Sequence, residues 1–167
     1  MRILTVNVHY APESFGGATI VAEEVTRQLA ARGHETYVVT GTTDGSLPIA
    51  GLHRYQDAVT PVLAMGRPLP ASPSEEYSQP GLADRFDQIL DSVRPDVVHF
   101  HAMQALGVEM VQRSLARVPT VVTLHDAWWF CERQFMVRST GKWCGQVGID
   151  PRVCATCVPD PDSHERR

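Results

Sequence analysis

The feature that most constrains this chain is a recurrence of short, continuous apolar runs, each closing in polar residues. Ile3-Leu4-Thr5-Val6-Asn7-Val8, His34-Glu35-Thr36-Tyr37-Val38-Val39-Thr40, Val97-Val98-His99-Phe100-His101 and Pro119-Thr120-Val121-Val122-Thr123-Leu124 are all rich in β-formers. A strand that is apolar on both faces belongs to a sheet covered on both sides, hence a parallel one. Helical patterns separate the runs. One covers about residues 18–32, with Val21, Val25 and Leu29 on one stripe and Gly33 just past the end, where a left-handed residue closes a helix. A second covers residues 81–93, with Leu82, Phe86, Ile89, Leu90 and Val93 at helical spacing, and a third covers residues 104–116. Strand, helix, strand, repeated, predicts an α/β fold with a doubly wound, mostly parallel sheet.

Between the second run and the second helix the order is weaker. His53-Arg54-Tyr55-Gln56 reads as a short strand. Residues 61–80 hold Pro61, Pro68, Pro70, Pro73 and Pro80, which predicts a loop without long regular structure, either plain surface or the border of a binding site.

Composition enters only to exclude. With 167 residues and 43% hydrophobic content the chain buries a core of its own, so disorder is not its dominant state. No apolar stretch approaches the ~20 residues of a membrane span. The first residues carry no apolar region followed by a small-residue cleavage site, so no signal peptide is expected. A formal charge of −4 argues against sequence-independent nucleic-acid binding. Cysteines in a chain without an export signal suggest a reducing, cytoplasmic compartment.

Ligands of an open parallel sheet bind beyond the carboxyl ends of its strands. That rule selects residues 9–17, 99–103 and 125–130. Gly16 and Gly17 open a helix directly after a strand and turn, where free N–H groups attract phosphate, though a tight turn also uses two glycines. The pair belongs to neither a Gly-x-Gly-x-x-Gly fingerprint nor a Walker loop, which weakens both a dehydrogenase and an ATPase reading. His99 and His101 share one strand face, too few imidazoles for a metal site; the expectation is His99 packed and His101 facing the cleft. His125-Asp126 ends an apolar run where an imidazole has little structural purpose. Trp128-Trp129-Phe130 beside it is core, or a wall for a sugar or base ring.

All four cysteines fall late: Cys131, Cys144, Cys154 and Cys157, the last two as Cys-x-x-Cys. The spacing suits a tetrahedral four-cysteine structural zinc site in a loop with little core of its own. An iron–sulfur cluster, two disulfides and four reduced thiols remain as alternatives.

Taken together, several segments resemble the N-terminal, acceptor-side domain of retaining glycosyltransferases of family 4, which have the two-domain GT-B architecture. They are Arg2-Ile3-Leu4, Tyr10-Ala11-Pro12-Glu13-Ser14-Phe15-Gly16-Gly17-Ala18, Leu29-Ala30-Ala31-Arg32-Gly33-His34-Glu35, Arg94-Pro95-Asp96-Val97-Val98-His99-Phe100-His101 and Thr120-Val121-Val122-Thr123-Leu124-His125-Asp126. The resemblance implies a Rossmann-like N-terminal domain over residues 1–128, a Cys-rich segment over 129–160 of a kind some family members carry, and a tail or truncation point over 161–167. It implies a nucleotide-diphosphate sugar as donor, with Gly16, Gly17 and His101 on the donor side and His125-Asp126 beside the transferred sugar. It also implies a carbohydrate or other hydroxyl acceptor and a donor-binding domain, in cis or on a separate chain, without which this half is close to inactive. Peripheral membrane association of the full enzyme is compatible with it. The competing expectation is a non-catalytic, zinc-bearing interaction module on a Rossmann-like scaffold.

Overall fold

The computed structural model describes residues 1–138 and 140–157. The expected tail over 161–167 therefore lies outside the described residues, as do residues 158–160. Two compact units emerge, Met1–Thr123 and Leu124–Arg167.

The first unit is built on β1 (Arg2–Val6), α1 (Gly16–Ala31), β2 (Glu35–Thr42), β3 (Leu52–Asp57), β4 (Thr60–Gly66), α2 (Pro73–Tyr77), α3 (Pro80–Val93), β5 (Val97–Phe100), α4 (Glu109–Leu115) and β6 (Thr120–Val122). The six strands form one sheet in the order β3-β4-β2-β1-β5-β6. Every neighbouring pair is parallel except β3 against β4. The Rossmann-like, doubly wound α/β expectation is met. Because the chain passes from β1 to β2 on one side and later reaches β5 on the other, the strand order reverses at β1 and β5, which is where such a sheet opens its ligand crevice.

Leu4, Val6, Val38, Val39, Val62, Val98 and Phe100 are fully buried in the sheet. From α3, Leu82, Phe86, Ile89, Leu90 and Val93 cover it, the stripe the spacing predicts, and the rings of Phe86 and Phe100 pack at 5.8 Å. In α1 the buried face differs from the expected Val21-Val25-Leu29 stripe: Thr19, Ala22 and Thr26 are buried while Val21 is exposed. Small residues bring the helix close to β1, where the Thr5 and Thr26 hydroxyls share a hydrogen bond of 2.9 Å.

Residues 61–80 are not the loop their prolines suggest. Pro61 stands before the parallel ladder with β2 begins at Val62, so its missing N–H costs no bond there, and Val62 to Met65 carry a buried strand. Pro73 and Pro80 stand at helix starts, where proline is welcome. The third helix is also shorter than expected, because positive φ at Ala105 and Gly107 delays its start. Gly107 is required there, since a Cβ would lie 2.7 Å from the Gln79 backbone nitrogen. Finally, β6 is an edge strand with Val121 and Val122 exposed, not a strand buried on both faces.

The described residues of the second unit hold a bridge between Val137 and Trp143 and one short helix, α5 (Pro151–Ala155), capped by Asp150. Among the described residues no helix is long and apolar enough to cross a membrane.

Candidate functional site

Asn7 organises the crevice of the first unit. It follows β1 directly and is fully buried. Its Oδ1 accepts the Ala102 N–H at 2.9 Å, beyond the end of β5, while its Nδ2 donates to the His9 carbonyl at 2.6 Å and to Thr19 Oγ1 at 3.2 Å. One side chain thus ties the two loops of the reversal point to the first turn of α1. An asparagine ending an apolar run was the available signal for it.

The loop leading to Gly16 is fastened at its start. Tyr10 is buried with Val38 and Val62, and the Tyr55 hydroxyl donates to the Ala11 carbonyl. Burial, then the charges of Asp57, Glu13 and Glu23, push the Tyr55 phenol up to about 12, so it remains a donor across the physiological range. Beyond this anchor Phe15, Gly16 and Gly17 are all exposed. Gly16 has φ +77°, and a Cβ at either glycine would meet open space. Phe15 offers no capping side chain, and the first turn of α1 holds no carboxylate. The N–H groups of a long helix are therefore presented without a protein anion, which suits a phosphate.

His9 sits in the same region, edge-on to Phe15 at 5.8 Å. Burial and then the Arg67 guanidinium hold its pKa below the usual imidazole value, against a smaller opposing pull from Glu13. His99 and His101 do share one face: their rings lie 4.1 Å apart, and His99 Nε2 shares a hydrogen bond of 2.7 Å with Thr123. His101, expected to face the cleft, is buried at 1% exposure, because its N–H continues the ladder to the Val6 carbonyl and keeps it within the sheet. The large recess between Leu90, Asp91, Arg94 and Arg117 lies at the amino ends of β5 and β6, the wrong end for ligands of this fold.

In the second unit His125 is half-buried, and Asp126 Oδ1 accepts the Trp128 N–H at 2.9 Å, which makes the aspartate a turn former. Trp128 and Trp129 meet edge-to-face at 5.3 Å. The cysteines do not assemble as their spacing suggests. All four are free thiols, and no three His, Cys, Asp or Glu groups among the described residues stand where one metal ion could bind them. Cys131, Cys144, Cys154 and Cys157 therefore do not fit a four-cysteine zinc site or an iron–sulfur cluster. Instead the Gln146 amide nitrogen bridges two of them, 3.4 Å from Cys144 Sγ and 3.6 Å from Cys154 Sγ. The Gln146 side chain, then its backbone N–H, with help from Arg138, hold the Cys144 thiol below its usual pKa.

Comparison with known proteins bears on the fold and the family. No curated protein matches the chain. Among solved structures the chain is similar to sucrose-phosphate synthase from Thermosynechococcus elongatus, with 18% identity and a TM-score of 0.51 over 74% of this chain. At that identity the likeness shows the fold, a GT-B half, and the chain spans about a third of that structure, 33% of its length. The family model described as Glycosyltransferase Family 4 matches residues 15–162, from the residue before the open glycine pair to beyond the last described cysteine, and the chain belongs to that family.

Proposed function

We propose that this chain is the acceptor-side half of a retaining glycosyltransferase, one that moves a hexosyl group from a nucleotide-diphosphate sugar to a hydroxyl of a sugar or similar acceptor. The observation that carries the reading is the uncapped, glycine-opened start of α1 at the carboxyl end of a doubly wound sheet, in a chain of this family. The donor diphosphate approaches Gly16 and Gly17, whose lack of side chains lets backbone N–H groups come within bonding distance of phosphate oxygens. As the glycosidic bond breaks, negative charge grows on the diphosphate. Fixed dipoles aimed there stabilise it without reorganising. The leaving phosphate takes the acceptor proton on the same face, and so configuration is retained. His125 stands beside the transferred sugar in this reading, while Asp126 shapes the turn that presents it. A second, donor-binding α/β domain completes the site, and the enzyme works in the cytoplasm, in solution or peripherally on a membrane.

The test uses the chain joined to a donor-binding domain, in cis or as a co-expressed partner. Incubation with a panel of nucleotide-diphosphate sugars should release nucleoside diphosphate, and proton NMR of the first product should show the donor's anomeric configuration. His125→Ala should lower turnover about a hundredfold with little change in melting temperature. Inverted product, or a folded His125→Ala protein with full turnover, would overturn the mechanism.

A further inference from the structure

Three buried side-chain atoms of the first unit have no hydrogen-bond partner: Nε of Arg67, Oε2 of Glu76 and Oε1 of Gln104. A buried polar atom left unpaired has lost its water without gaining a partner, so several in one neighbourhood ask for a ligand or ordered water to satisfy them. The fold brings these three together at the ligand end of the sheet. Arg67 follows β4, and its side chain lies across Gly41 near the end of β2: a Cβ there would stand 2.6 Å from Arg67 Cδ and 3.1 Å from Leu106 Cδ2. The Glu76 carbonyl accepts the Ala105 N–H at 3.0 Å, and the Tyr77 carbonyl accepts that of Val108 at 2.8 Å. Those bonds fasten α2 to the loop after β5 that carries Gln104. Burial lowers the Arg67 pKa while the Glu76 charge opposes that fall, which marks the two as neighbours. Yet among the described residues the only side-chain bond of Arg67 runs from Nη1 to the Pro68 carbonyl, at 3.3 Å.

The unmet atoms describe their ligand. Glu76 can only accept, and Arg67 can only donate. A sugar hydroxyl does both, donating to the carboxylate while a neighbouring hydroxyl accepts from the guanidinium. A phosphate or carboxylate would pair with Arg67, and with Gln104 only when its amide is turned to donate, but in either case it would face the negative charge of Glu76 and leave that carboxylate unmet. We infer that Arg67, Glu76 and Gln104 bind the acceptor through its hydroxyls, and that the acceptor is uncharged at this end: an unphosphorylated sugar or polyol. This rests on the glycosyltransferase reading and names the substrate class of its acceptor side.

The chain itself, labelled with nitrogen-15, is titrated with methyl α-glucoside, maltose and inositol, and in parallel with glucose 6-phosphate and glucuronate. At least one neutral compound should shift the Arg67 Nε–H and the amides near Gln104, and bind about tenfold or more tightly than the charged ones. Glu76→Gln, which keeps shape and removes charge, should narrow that preference, and Gln104→Leu should weaken the neutral ligands about tenfold. Tighter binding of the charged sugars, no shift at these residues with any compound, or unaltered affinity in both folded variants would each overturn the inference. The glycosyltransferase reading fails separately, if the chain joined to a donor-binding domain releases no nucleoside diphosphate from any nucleotide sugar.

Discussion

Single residues decide what the crevice can admit. Because a Cβ at Gly17 meets open space within the protein, Gly17→Val should fold normally, so any loss reports on the ligand. In the complete enzyme donor affinity should fall at least about tenfold by calorimetry while the circular dichroism spectrum stays unchanged; retained affinity would remove the glycine pair from the donor site. Gly16 is the poorer test, since φ +77° strains any replacement. His9 supplies a pH signature. Its folded pKa lies below the 6.5 of a free imidazole, so above that pH both folded and unfolded chains hold it neutral and it contributes nothing. As pH falls below 6.5 the unfolded chain takes the proton first, and stability declines until the folded pKa is passed. Denaturant titrations should show a loss that sets in as pH falls below 6.5 and that His9→Gln lessens. Legibility ran out at this scale. Gly16 and Gly17 were readable because helix start and glycine coincide in the sequence, whereas Arg67, Glu76 and Gln104 matter through distant chain neighbours that no local pattern carries.

Elements were legible where periodicity met a single environment. β1, β2, β5 and α3 follow the apolar pattern because each is buried as that pattern demands. β4 was hidden by Pro61, whose effect depends on which N–H the ladder needs, and that is a property of the partner strand. The α1 face was misread because close helix–sheet approach selects small residues over large apolar ones. The β3–β4 hairpin has a definite task in this scheme: it carries Tyr55, which holds the loop before Gly16. Tyr55→Phe removes one hydrogen bond and keeps the ring, so it should cost about 1 kcal/mol in urea unfolding. Hydrogen exchange should quicken at the Glu13 amide, which is bonded to the Tyr10 carbonyl at 3.0 Å. Unchanged exchange at Glu13 would mean that burial of Tyr10 alone anchors the loop.

At the scale of the whole molecule the two units are held by different forces, and that difference is measurable. Met1–Thr123 owns a continuous buried core through the sheet and α3, whereas the described residues of the second unit hold one bridge, a five-residue helix and few buried side chains. The stability of a segment follows the apolar surface it hides, and local opening starts where little is hidden. The cysteines add no cross-link, being free thiols. Brief trypsin treatment should therefore cut first at Arg133, Arg138 or Lys142, all exposed, and leave a fragment carrying the six-stranded sheet. Hydrogen exchange should agree, with amides of β1, β2 and β5 protected far longer than those around the Val137–Trp143 bridge. Adding zinc discriminates further: thiols that are not gathered around a common point gain little from the ion, so protection of residues 131–157 should stay as it was. A marked slowing of cleavage with one equivalent of zinc would show that the cysteines close on a metal after all, and would restore the four-ligand site that their spacing suggests.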